Sequence, residues 1–257
     1  MNKINQLLEN KKQDILSVYF TAGYPNLNDT EKIIIELESA GVDLIEIGIP
    51  FSDPLADGPV IQKSSEKALN NGISLELIFE QLKNIRQKVN IPLIFMGYLN
   101  PIMQYGIENF CKKAAEIGID GTIIPDLPLD IYQKEYRAIF EQYNLSNILL
   151  ITPQTALERL RTIDEATDSF IYMVSSASTT GTKGLDTNIL SKFSDKITKA
   201  NLKSPKIIGF GISDKQSFEN ACRYANGAII GTAFIKAISE GSDLGENIHR
   251  FVRSISR

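Results

Sequence analysis

Histidine is nearly absent from this 257-residue chain: His249 is the only one. That excludes a metal centre built on several imidazoles, and it leaves acid–base work mainly to carboxylates, with Tyr or Lys in support. His249 itself, close to the C-terminus, suits a surface or packing residue. Cysteine is almost as rare. Cys111 and Cys222 stand far apart, each within a helix-like pattern. They form neither a disulfide framework nor a metal-spacing motif, and they read as small buried hydrophobes. A basic excess is also missing. The 27 Lys and Arg against 31 Asp and Glu give a net charge of −4, with the signs interspersed, so no nucleic-acid surface is expected. No apolar run approaches a membrane span, and the opening MNKINQLLENKKQD lacks the apolar core of a signal peptide. A cytoplasmic protein with no membrane contact is expected.

What is present is a recurring pattern. Short apolar, β-branched runs appear eight times, each followed by a helical segment. The first four are ILSVYFT (15–21), LIEIG (44–48), PLIFMG (92–97) and GTIIPD (121–126). The others are NILLIT (147–152), FIYMVS (170–175), KIIGFG (206–211) and GAIIGT (227–232). Runs of this kind are typical of parallel strands covered on both faces. Between them, NDTEKIIIELESAG and IENFCKKAAEIG carry helical periodicity and stop at Gly41 and Gly118. DIYQKEYRAIFEQY predicts another regular helix, with Tyr132, Tyr136, Ile139, Phe140 and Tyr143 on one stripe. Eight β–α units in a chain of this length predict an α/β fold: a single (β/α)8 TIM barrel, one domain over 1–257, with an extra N-terminal helix. A doubly wound open sheet is the alternative. It usually has fewer strands and a Gly-rich first turn, and no G-x-G-x-x-G follows the first run.

One residue breaks the strand pattern. Glu46 sits in the middle of Leu44-Ile45-Glu46-Ile47-Gly48. Side chains alternate along a strand, so if Ile45, Ile47 and Ile49 face the helices, then Leu44, Glu46 and Gly48 face the barrel interior. Burying an unpaired carboxylate costs several kcal/mol, roughly. Burial also raises its pKa, which suits a group that gives and takes a proton near neutrality. The competing reading is a structural Glu neutralised by an internal cation, for which the strand runs offer only Lys206. After this strand, PFSDPLADGP would turn whatever its function. Its three prolines, Pro50, Pro54 and Pro59, stiffen it beyond a connector's needs, so that it can present Asp57 across the mouth from Glu46. Asp53 and Asp57 without a histidine make a poor metal site.

Glycine-rich turns cluster at the other end. GFGIS (209–213) leads into a helix near Ser213-Asp214, IGT (230–232) opens another, and TTGTKG (179–184) follows the sixth run. Glycine permits close backbone approach and a helix N-terminus offers unpaired N–H donors. Barrels often hold phosphate on loops seven and eight, so a phosphorylated substrate is expected.

The stretch IEIGIPFSDPLADGP, with YFTAGYP, YLNPI, IIPDLP, GFGIS and GAIIGTA, resembles the tryptophan synthase alpha chain family over essentially the whole sequence. The resemblance implies a retro-aldol lyase that splits indole-3-glycerol phosphate into indole and glyceraldehyde 3-phosphate without metal or cofactor. It implies Glu46 as general acid/base and Asp57 as the group holding the indole N–H. Gly211, Ser213, Gly231 and Thr232 would hold phosphate, with Thr180 and Gly181 closing over it. Tyr172 would stand close to the glutamate, unless it simply packs, and Tyr19, Phe210, Ile123 and Met96 would wall the indole. Where the family commonly has Arg and Gly, this chain has Ser176 and Ser178, a difference that bears on lid closure.

By the same resemblance, the partner is a pyridoxal-phosphate-dependent tryptophan synthase beta chain in an α2β2 tetramer. It would be met by Pro50 to Pro59 and the segment around Asn100-Pro101. Three alternatives stand beside this one: a stand-alone indole-3-glycerol phosphate lyase, a weakly catalytic activator of a beta chain, and another phosphate-binding barrel isomerase or epimerase.

Overall fold

The computed structural model describes residues 2–174, 187–209, 211–239 and 243–256. Strands β1 (Ile15–Thr21), β2 (Leu44–Gly48), β3 (Leu93–Met96) and β4 (Gly121–Ile123) are followed by β5 (Ser146–Ile151), β6 (Ile171–Val174), β7 (Lys206–Gly209) and β8 (Gly227–Ile230). They pair in sequence order, all parallel, and β8 returns to β1 to close the barrel. The two faces of the strands sort as the alternation requires. Val18, Phe20, Ile45 and Ile47 pack into the outer layer with the helices. Ile15, Tyr19, Leu44, Ile94, Ile123, Ile148, Tyr172, Ile207 and Ile229 fill the interior. The barrel is therefore a packed core with a site at its end rather than a pore.

The first helices are α1 (Lys3–Asn10), α2 (Thr30–Ala40), α3 (Pro59–Asn70), α4 (Leu75–Leu82), α5 (Leu99–Tyr105) and α6 (Ile107–Ile117). After β4 come α7 (Leu129–Ile131), α8 (Arg137–Gln142), α9 (Leu157–Ala166), α10 (Thr187–Ala200), α11 (Lys215–Cys222), α12 (Thr232–Ser239) and α13 (Leu244–Ser256). Gly41 and Gly118 end α2 and α6 with φ of 94° and 85°, the left-handed cap that glycine adopts without a Cβ penalty. Among the described residues, no helix is long and apolar enough to cross a membrane.

Helix α1 closes the N-terminal end of the barrel. Its cap residue Asn2 accepts from the Ile4 N–H at 2.9 Å, and its amide donates to the carbonyls of Asp120 (2.5 Å) and Asn144 (3.0 Å), just before β4 and β5. Ile4 and Leu8 then enter the interior core.

Two expectations need correction. The fourth run ends as a strand at Ile123 rather than Asp126, because Pro125 has no N–H to continue a ladder. The segment 130–143 is not one regular helix: a π turn, Tyr132–Tyr136, separates α7 from α8. Across this turn Tyr132 and Phe140, eight residues apart, still share one face, and their rings meet edge to face at 5.6 Å.

Ile4→Ala removes the buried part of the plug and leaves a cavity. We expect a loss of about 2–4 kcal/mol in urea unfolding, with the strand content by circular dichroism unchanged.

Candidate active site

Glu46 projects into the barrel interior and is fully buried. It lies in register with Tyr19 on β1 and Ile94 on β3. The Ser17 hydroxyl donates to Oε1 at 2.9 Å, and Oε2 has no hydrogen-bond partner. Burial pushes the carboxyl up to about 8, and the Ser17 bond only partly opposes it. The acid is thus protonated at neutral pH. Because Oε1 already accepts from Ser17, the proton belongs on Oε2. The one candidate counter-charge does not reach it: Lys206 interacts electrostatically with Asp164 and contacts the Leu202 carbonyl at 3.4 Å. Its neighbours in β7, Ile207 and Ile208, face the interior and the helical layer respectively, which puts Lys206 on the outer face.

Asp57 is held by its loop in a different environment. Its N–H donates to the Pro54 carbonyl at 3.0 Å, and the Gln62 amide on α3 donates to its own carbonyl at 2.9 Å. Tyr98, just past β3, clamps the loop from the other side. Its hydroxyl accepts from the Ala56 N–H at 3.0 Å and donates to Asp57 Oδ2 at 3.3 Å. Burial raises the Asp57 carboxyl to about 6, and the Tyr98 bond holds it from rising further. The two acids therefore sit on opposite sides of neutrality.

Two tyrosines share the mouth with them. Tyr19 and Tyr172 are buried, and both titrate well above the usual phenol range. For Tyr19 the causes are burial and then Asp57; for Tyr172 they are burial, then Glu46 and Asp57. Each hydroxyl lies over a glycine. A Cβ on Gly48 would overlap the Tyr19 hydroxyl, and one on Gly209 would overlap that of Tyr172. Met96 and Ile123 are register partners on β3 and β4. Ile123 is fully buried in the interior core, and Met96 packs half-buried against it.

At the opposite rim, Gly211 has φ +77°, a conformation that favours glycine. The Ser213 N–H donates to Ser217 Oγ at 3.0 Å, and the Ser213 hydroxyl bonds Asp214 Oδ2 at 3.3 Å. Asp214 caps α11 in a reciprocal box with Ser217. The donors at that helix start are thus partly engaged, by a carboxylate and a hydroxyl of the chain itself. Gly231 and Thr232 open α12, where the Gly231 carbonyl accepts from the Ile235 N–H at 2.9 Å. Thr180, Gly181 and Phe210, and with them Ser176 and Ser178, lie outside the described residues.

Ser17, Gly48 and Tyr98 were not singled out in the sequence. Ser17 had a legible signal: it is a hydroxyl on the inward face of an apolar run, two residues before Tyr19. Tyr98 had none, because its contact with Asp57 joins residues 41 apart. His249 Nε2 is hydrogen-bonded to Glu36 Oε2 at 3.0 Å, a polar link between α13 and α2. Among the described residues, no cluster of three or more His, Cys, Asp or Glu could hold a metal ion.

Fold and site together define a (β/α)8 barrel that carries two buried, differently supported carboxyls at its mouth. Comparison with known proteins narrows this. The family model of the tryptophan synthase alpha chain matches residues 5–255. The tryptophan synthase alpha chain of Flavobacterium johnsoniae is 60% identical over 255 residues, covering 99% of this chain and 100% of that one. That of Bacteroides thetaiotaomicron is 56% identical over 243 residues, 95% of each. The tryptophan synthase alpha chain structure from Legionella pneumophila superposes with a TM-score of 0.89 at 33% identity, covering 99% and 96% of the two chains. A chain of the Mycobacterium tuberculosis tryptophan synthase, in an aminoacrylate-bound form, gives 0.86 at 25% identity, covering 99% and 98%. The chain belongs to the tryptophan synthase alpha chain family, the carbon–carbon lyases of tryptophan biosynthesis that cleave indole-3-glycerol phosphate.

The buried acid gives a stability signature. The folded pKa of Glu46 is raised above its unfolded value of about 4.3. Between these values the unfolded state holds fewer protons than the native one, so this group lowers stability as pH rises from about 4.3 to 8. Glu46→Gln should match wild type in urea unfolding near pH 4 and exceed it by a few kcal/mol, roughly, at pH 9. Parallel pH curves for the two proteins would refute the buried neutral acid.

Proposed function

We propose that Glu46 is the general acid and base of indole-3-glycerol phosphate cleavage and that Asp57 anchors the indole N–H. The observation that carries this reading is the contrast between two buried carboxyls. Glu46 has Ser17 on one oxygen and no partner on the other, which goes with a value raised to about 8. Asp57 accepts from Tyr98 at the rim and rises only to about 6. Near neutrality one is protonated and the other ionised, and such separated pairs take separate roles.

Glu46 Oε2 gives its proton to C3 of the indole, and the ring nitrogen becomes positive. The Asp57 carboxylate accepts the N–H and stabilises that charge in a buried site, where a fixed group acts strongly. The ionised Glu46 then takes the proton from the hydroxyl on the adjoining carbon. The electrons of that O–H form the aldehyde carbonyl, and those of the breaking C–C bond return to the ring. Indole and glyceraldehyde 3-phosphate result, Glu46 is protonated again, and the cycle uses no cofactor. Gly211, Ser213, Gly231 and Thr232 hold the phosphate in this reading, with Thr180 and Gly181 closing over it. Gly231 and Thr232 at the start of α12 are the better supported, because Ser213 is partly engaged in the α11 cap. Tyr172 stands beside Glu46, and Tyr19, Phe210, Met96 and Ile123 wall the ring.

The partner in this reading is a tryptophan synthase beta chain, with an α2β2 tetramer, in the cytoplasm, as one folded domain over 1–257. The support lies on the rim. Leu55 is 87% exposed and Met103 54%, on the Asp57 loop and on α5 beside Pro101. Leu55, Phe51 and Leu69 line an open groove of about 640 Å³. Apolar side chains so exposed on one rim suit a protein partner.

Indole release, assayed with and without an added beta chain, tests both parts. Glu46→Gln should lose at least about a thousandfold in kcat with folding unchanged, and the beta chain should co-elute with wild type and raise its rate. Near-normal turnover in the variant, or separate elution, would overturn the corresponding part.

The pH profile of wild-type kcat/KM should rise through about 6 and fall through about 8. Tyr98→Phe removes the bond that restrains Asp57, so its acid limb should move upward while the alkaline limb stays in place. An unmoved acid limb would assign that limb to another group.

A further inference from the structure

Ser17 is fully buried, an inward hydroxyl among the apolar neighbours of β1. In the register of β1 and β2 it stands beside Leu44, while Tyr19 stands beside Glu46. Ser17 therefore lies one interior layer below the glutamate, toward the end that α1 closes. From there its hydroxyl donates to Glu46 Oε1 at 2.9 Å. Among the described residues it is the one donor bonded to that carboxyl, and Oε2 has none.

The titratable groups around Glu46 give it no other support. Tyr19 and Tyr172, from β1 and β6, lie in its field, and Asp57 faces both of them from its loop. Two of these are phenols and the third is an acid. Once Glu46 gives up its proton, a carboxylate therefore stands in the interior with no cation of the described chain beside it. Such a group is costly to bury unless a donor is already in place. Ser17 is in place beforehand. With the proton on Oε2, it donates to Oε1 as to a carbonyl oxygen. With the proton gone, the same bond meets a charged oxygen and strengthens without rearrangement.

We propose that Ser17 is a positioning residue of the cleavage reaction, holding Glu46 by Oε1 and stabilising the carboxylate that exists while the proton is on C3 of the indole. This rests on the reaction proposed above. That carboxylate is the state between the two proton transfers, so a bond strongest there lowers the barrier on either side. The serine approaches from the closed end, so substrate arriving through the mouth does not compete for the bond. Ser17 acts through Glu46 and touches no substrate, which places its effect on kcat rather than on binding. A serine kept only to fill the interior would be worth the same whether Glu46 is neutral or ionised.

Ser17→Ala tests the assignment in the full-length chain, since it removes one oxygen and little volume. With indole-3-glycerol phosphate, kcat should fall about ten- to a hundredfold, the size of one hydrogen bond to a charged oxygen, with KM changed less than about twofold. The lost bond favours the ionised acid, so the alkaline limb of kcat/KM should move above about 8 while the acid limb stays. Ser17→Thr, which keeps the hydroxyl, should restore both. Calorimetric binding of 3-(indol-3-yl)propyl phosphate, in which no proton is transferred, should be unchanged within about twofold, well below one hydrogen bond. Urea unfolding gives a readout that needs no substrate. The stability deficit of Ser17→Ala should be larger near pH 9 than near pH 5, roughly, because only at the higher pH is the wild-type acid ionised. Unchanged kcat and alkaline limb, equal weakening of the unreactive ligand and of kcat/KM, or a deficit independent of pH would overturn the proposal. A pH-dependent deficit in a chain whose wild type releases no indole would instead overturn the underlying reaction, and the proposal with it.

Discussion

The structure turns on one carboxyl group taken out of water and given a single hydrogen bond. Glu46 has Ser17 on one oxygen and no partner on the other, with apolar interior side chains filling the strands around it. A carboxyl in that position stays neutral to a pH where an ordinary glutamate is long ionised. A cation beside it would have made it a structural ion pair, with its proton gone. The one cation in the strand runs, Lys206, stands on the outer face of the barrel, so it does not draw the proton away.

The second acid is tuned by a different means. Asp57 has a tyrosine hydroxyl donating to it and is pinned from two sides, by Gln62 from α3 and by Tyr98 from beyond β3. The same Tyr98 oxygen takes the Ala56 N–H, so the residue that sets the loop's position also sets the acid's charge. The two acids thus differ because their supports differ: a strand interior for one, and a stiff, partly polar rim for the other. Apolar rim residues beside that loop place a candidate docking surface within a few residues of Asp57. Binding there has a short physical route to the site.

Much of this was legible in the sequence, for reasons that can be named. The eight runs appear because parallel strands covered on both faces need apolar residues almost throughout. Glu46 stands out against that background, and alternation alone placed it inward with Leu44 and Gly48. What was not legible depends on contacts across the chain. The inward hydroxyl of Ser17 could be read from strand alternation, but its pairing with Glu46 over 29 residues could not, nor could that of Tyr98 with Asp57 over 41. Gly48 reads as a weak point in a strand until the register sets it against Thr21 and under the Tyr19 ring. The π turn at 132–136 is invisible to a helical count, since both of its tyrosines fit a regular stripe. Ser213 carried a phosphate signal by its place before a helix, but the side chains of Asp214 and Ser217 compete for that helix start.

The N-terminal helix has a consequence for traffic. With Ile4 and Leu8 seated in the interior and Asn2 tied to the β4 and β5 edges, the barrel is stoppered at one end. Whatever enters to reach Glu46 must leave by the door it came through. A ligand bound at Glu46 would therefore come and go past the rim where the Asp57 loop stands, and the side chains that frame that rim are the ones it must pass.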